Sequence, residues 1–131
     1  MTPVELARAI KQNQIPALLF LYGEESYLLQ RDLRQLLDAV LPVADRDFNF
    51  DNLSAKEVRA ETILDRARTF PVFAPRRLVL VKDAQLLSAE SLDLLTSYLH
   101  DPSPETVLVP TAGYVGSQES VPTLITQAHA S

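Results

Sequence analysis

The apolar positions along this chain follow two rhythms. In two places they run without a break, Ala17 to Tyr22 and Leu78 to Val81, and Thr106 to Val109, Thr-Val-Leu-Val, reads as a further strand. Unbroken apolar runs of this length read as strands covered on both faces, as in a parallel sheet flanked by helices. Elsewhere they recur every three or four residues. Leu29, Leu33, Leu36, Leu37, Val40 and Leu41 make one stripe of a helix from Glu24 to about Leu41, which Pro42 stops. Ala60, Ile63, Leu64 and Ala67 make the inner face of a second helix ending before Pro71. Leu92, Leu95 and Leu99 make that of a third, beginning near Ser88 and ending at Asp101-Pro102.

Local signals fill in the rest. Thr2-Pro3-Val4-Glu5 is a helix start, and that helix runs to about Lys11. Asp47 to Leu53 alternates polar and apolar, which predicts a strand near the sheet edge. Ser54-Ala55-Lys56-Glu57 has the form of a capping box, with Leu53 and Val58 placed as a hydrophobic staple. The element order is then α-β-α-β-α-β-α-β, the pattern of a three-layer α-β-α fold with a mainly parallel sheet. Residues 1–110 form the expected domain. Residues 111–131, rich in Gly, Ser, Thr, Gln and Ala, are expected to be a poorly ordered tail.

Composition narrows the chemistry. At 131 residues, 47% apolar and 22% charged, the chain suits one globular domain. It has no cysteine, which excludes disulfides and Cys-ligated zinc. No apolar run approaches the ~20 residues that span a membrane. The N-terminal residues lack the pattern of a signal peptide, so the cytoplasm is the expected compartment. A net charge of −5 disfavours a stand-alone nucleic-acid binder and favours protein partners.

In a doubly wound sheet, a nucleotide's phosphates would lie in the loop after the first strand. The phosphate-binding pattern G-x-x-x-x-G-K-[ST], laid on Gly23, places Leu28, Leu29 and Gln30 where its second glycine, lysine and hydroxyl belong. Glu24 and Glu25 would sit at the helix N-terminus, where carboxylates are stabilised and phosphate is repelled. Asp83 reads as a turn residue rather than a magnesium ligand, since such a site needs further oxygen ligands. His100 and His129 have no catalytic or metal-binding partner at a telling spacing. No catalytic residue, cofactor or metal site is expected.

The remaining chemistry lies just before the strand Leu78–Val81. Phe70, Val72 and Phe73 are framed by Pro71 and Pro75, which hold the backbone extended or turned. Aromatic residues are mostly buried, so one expectation is that these three plug the end of the core. The other is that they project outward as an apolar grip.

The ordered set Leu-Tyr-Gly-Glu-Glu-Ser-Tyr-Leu-Leu, Asp-Phe-Asn-Phe-Asp, Thr-Phe-Pro-Val-Phe-Ala-Pro-Arg-Arg-Leu-Val-Leu-Val-Lys-Asp-Ala and Leu-Thr-Ser-Tyr-Leu-His-Asp-Pro-Ser-Pro-Glu-Thr-Val-Leu-Val resembles the N-terminal domain of the bacterial DNA polymerase III delta subunit, over residues 16–110. The resemblance implies an AAA+-type α/β domain, like a P-loop NTPase but without a working phosphate-binding loop. It implies a non-catalytic clamp-loader subunit, within a nucleotidyltransferase complex, that binds the ring-shaped beta sliding clamp and helps to open it. The implied partners are the clamp and the gamma/tau and delta-prime subunits, with DNA met only indirectly and no membrane. The family's later domains are not matched. By the resemblance, Val72 and Phe73 occupy the clamp-binding positions, with Phe70 in support; Arg68 stands where such motifs often begin with glutamine, and Val72 replaces a leucine. Two other readings compete: a nucleotide-dependent enzyme of the same architecture, and an α/β interaction module whose loop grips some other protein.

Overall fold

The computed structural model describes residues 3–22 and 26–112. In chain order these form α1 (Pro3–Lys11), β1 (Leu21–Tyr22), α2 (Ser26–Val40), a single helical turn α3 (Arg46–Asn49), β2 (Phe50–Ser54), α4 (Ala60–Ala67), β3 (Arg77–Lys82), α5 (Ala89–Leu99) and β4 (Thr106–Ala112). The strands make one four-stranded sheet in the order β1-β4-β3-β2, and every neighbouring pair is parallel.

Successive strand residues point to opposite faces, so an unbroken apolar run serves two cores at once. Val79, Val81 and Leu108 pack with Ile63 and Ala67 of α4 and Leu92, Leu95, Tyr98 and Leu99 of α5. Leu78, Leu80, Val107 and Val109 pack on the other side with Leu6 of α1 and Leu36 and Val40 of α2. This is the expected three-layer α-β-α architecture. The helical stripes read from the sequence are the faces turned to the sheet.

Three boundaries differ from the sequence reading. The strand expected from Asp47 starts at Phe50, because residues 46–49 wind into α3. The wound segment inverts the expected faces: Asn49 is buried and Phe48 is exposed. Ser54 does not open a helix. It is still paired with Lys82 in the sheet, its hydroxyl accepts from the Lys56 amide, and α4 begins only at Ala60. Leu53 and Val58 nonetheless pack against the same cluster, as a staple pair would.

The third difference is at Pro110, which lies inside β4 rather than ending it. β4 continues to Ala112, with Thr111 and Ala112 opposite Leu21 and Tyr22. Residues 113–131, and the tail expected there, lie outside the described residues. Pro110 also accounts for the interruption of pairing just before β1. Leu108 donates to the Ala17 carbonyl and accepts from the Leu19 amide, so by the period of two the nitrogen of residue 110 faces the same neighbour. Proline has no N–H to give there. Pairing with β1 is accordingly interrupted between a lone bridge at Leu18 and the strand at Leu21.

Candidate binding loop

Residues 68–76 join α4 to β3 at the end of the sheet where the strands begin. The segment is pinned along its length. At its start, the Arg68 amide closes the helix onto the Leu64 carbonyl, and the Thr69 hydroxyl donates to the Asp65 carbonyl at 2.7 Å. The Arg68 guanidinium lies 5.1 Å from the Tyr98 ring centre, a cation–π distance. At its end, Arg76 donates to the Asn13 side chain at 2.8 Å. Arg77, the first residue of β3, is 4% exposed. It donates to the carbonyls of Arg66 and Phe48 and to the Asp51 carboxylate.

The middle is held from below by Asn49. Its Oδ1 accepts from the Val72 amide at 2.6 Å, and its Nδ2 donates to the Val72 carbonyl at 2.9 Å and to the Asp45 carbonyl at 2.9 Å. Within this frame the apolar side chains face outward. Phe70 is 76% exposed, Val72 40% and Phe73 101%. Phe73 adopts φ +53°, a left-handed conformation disfavoured for residues with a Cβ. The loop therefore combines an uncommon backbone geometry with a fully solvated aromatic ring. The three residues singled out from the sequence lie together on it, and none plugs the core.

Asn49 and Arg77 were not singled out by sequence reasoning. Asn49 sat inside a segment read as a strand, where it would face solvent. The available signal was that asparagine is poor in strands and readily bonds nearby backbone. Arg77 looked like half of an ordinary basic pair.

At the opposite end of the sheet a cleft of about 390 Å³ opens where the strands finish; Gln30, Asn52, Glu57, Lys82, Asp83 and Thr111 are among the residues lining it. Asp83 adopts φ +57° and accepts from the Ser54 hydroxyl at 3.3 Å, which fits its reading as a turn residue. Gly23, Glu24 and Glu25, the residues expected where a nucleotide's phosphates would lie, are outside the described residues, as is His129. His100 follows α5 as its C-cap. Among the described residues, no group of three or more His, Cys, Asp or Glu could hold a metal ion. No described helix is long and apolar enough to cross a membrane.

This parallel α-β-α fold recurs in solved structures, one of them a clamp-loader protein. A solved structure of the Bacillus subtilis DNA clamp loader delta protein superposes with a TM-score of 0.84 at 28% identity, covering 97% of this chain and 41% of that one. A DNA polymerase III gamma subunit-related protein from Thermotoga maritima shares the fold at a TM-score of 0.67 and 18% identity, over 97% of this chain and 44% of that one. In sequence, the Bacillus subtilis DNA polymerase III subunit delta is 31% identical over 115 residues, 82% of this chain and 33% of the relative.

The family model of the DNA polymerase III delta subunit matches residues 19–128, and the chain belongs to that family. The match carries beyond residue 110, where the resemblance read from the sequence stopped. The chain spans about a third of the length of its curated relative.

Proposed function

We propose that this chain is the clamp-binding domain of a clamp-loader delta subunit: a non-catalytic module that grips the beta sliding clamp and helps to open it. The observation that carries this reading is the fully solvated Phe73 ring on a pinned loop, with Phe70 and Val72 beside it. Soluble proteins seldom spend rigid backbone on displaying apolar side chains to water unless a partner covers them. Family membership makes the clamp the first candidate for that partner.

Burying a phenylalanine and a valine in a pocket contributes ~3–5 kcal/mol before ordering costs. A pinned loop keeps those costs low. Opening a ring requires more than binding, since a ligand shifts a conformational balance only by its differential affinity for the two states. The loop must therefore hold the open clamp more tightly than the closed one. The domain does this without nucleotide and without chemistry of its own, in the cytoplasm. Gamma/tau and delta-prime are its partners in the assembled loader, and DNA is met only through the clamp.

The test is to titrate the purified chain against the closed clamp ring and against a clamp whose ring interface has been broken by mutation. Tighter binding to the broken ring, unaffected by ATP, is expected. Equal affinity for the two forms would remove the opening role, and no binding to either would remove the reading altogether.

A further inference from the structure

The loop's apolar side chains are exposed, so burial of those side chains does not set its shape. Something else must hold Phe73 at φ +53°. The Asn49 side chain is placed to do it. It is 1% exposed, and its amide meets the Val72 backbone with one bond in each direction, as a neighbouring peptide would. The remaining Nδ2 proton goes to the Asp45 carbonyl, so both donors are satisfied.

We infer that Asn49 is the positioning residue of the binding loop: its side-chain amide fixes the Val72 backbone and thereby sets the direction in which Phe73 leaves the surface. The inference rests on the reading of this loop as the clamp-binding site and names the residue that pre-shapes it. Chemistry restricts the position closely. A neutral amide, with a donor and an acceptor on one carbon, is found only in asparagine and glutamine, and glutamine carries an extra methylene. Aspartate has the right shape and keeps an acceptor for the Val72 amide, but its second oxygen would face the carbonyls of Val72 and Asp45 with no proton between them. A loop fixed before binding avoids the entropy that a mobile loop loses on docking.

Two readouts separate positioning from general support of the fold. The first is amide hydrogen exchange at Val72, whose N–H is bonded to the Asn49 side chain. In the native chain this amide is expected to be protected. In Asn49→Ala it is expected to exchange roughly tenfold faster or more, while amides of β3 and β4 keep their protection. Unchanged exchange at Val72 would overturn the inference. The second is a double-mutant cycle against the clamp. Asn49→Ala is expected to weaken binding roughly tenfold in the native background and to add little once Phe73→Ala is present, because a positioning residue acts through the group it positions. Additive losses would overturn it.

Should Asn49→Ala fail to fold, Asn49→Asp is nearly isosteric and loses both donors; it is expected to weaken clamp binding while its circular dichroism stays native, and native affinity would overturn the inference. A native chain that binds no clamp would instead count against the proposed function, and Val72 exchange would then judge the role of Asn49 independently.

Discussion

Arg77 and Asp51 form an ion pair beneath the candidate binding loop, guanidinium on carboxylate, with the arginine 4% exposed. The same guanidinium donates to the carbonyls of Phe48 and Arg66. One side chain thus ties α3, β2 and the end of α4 to the first residue of β3, which is the frame from which the loop projects.

Removing Arg77 leaves the half-buried Asp51 with only the more exposed Arg66, at 3.7 Å, and takes the donor from the Phe48 and Arg66 carbonyls; losing one side of such a network is costly. Arg77→Ala is expected to lower unfolding free energy by about 3 kcal/mol in urea denaturation. The double variant with Asp51→Ala should lose less than the two single losses summed, since the residues share one interaction. Strict additivity would show that the pair is not the unit described here.

The left-handed backbone at Phe73 sets the proposed clamp contact against stability. Its side chain buries nothing in the free protein, and glycine adopts positive φ without the Cβ penalty. Phe73→Gly is therefore expected to be more stable than Phe73→Ala by about 0.5–1 kcal/mol, although both lose the ring. Equal stability of the two, or a more stable Ala variant, would show that the loop does not hold φ +53° in solution. Thermal unfolding of the two proteins at one protein concentration makes the comparison.

Pro110 gives a prediction about the sheet. In Pro110→Val the new N–H faces the Leu19 carbonyl, and it should be protected from exchange like its neighbours in β4. The added hydrogen bond contributes about 1 kcal/mol, and freeing the unfolded chain from proline costs about as much. Net stability should therefore move little. Rapid exchange at residue 110 would contradict the account of why pairing breaks between Leu18 and Leu21.

Much of this fold was legible because its signals are periodic. The run Leu78–Val81 read as a doubly covered strand, Thr106–Val109 as a further strand, and the spacing of Leu92, Leu95 and Leu99 placed α5 directly. The failures occurred where a local signal was read without its surroundings. Ser54 carries capping chemistry, but pairing with Lys82 keeps it in the sheet. Pro110 looked like a stop because its missing N–H matters only on the side facing β1.

The loop was legible in part. Phe70, Val72 and Phe73 could be picked out by their prolines, yet whether they faced inward or outward depended on groups distant in sequence. Asn49 is 23 residues from Val72, and no pattern within the loop announces it. The alternation of Asp-Phe-Asn-Phe-Asp actively misled, because one helical turn at residues 46–49 exchanges the faces of Phe48 and Asn49.

The most direct test of the central claim is the affinity of the native chain and of Phe73→Ala for the beta clamp, measured by calorimetry on folded proteins. Loss of a buried aromatic anchor at an interface costs more than about 1.4 kcal/mol, so the variant should bind roughly tenfold more weakly or worse. An unchanged dissociation constant, with the fold intact, would contradict the account: the exposed ring would then not be what grips the clamp.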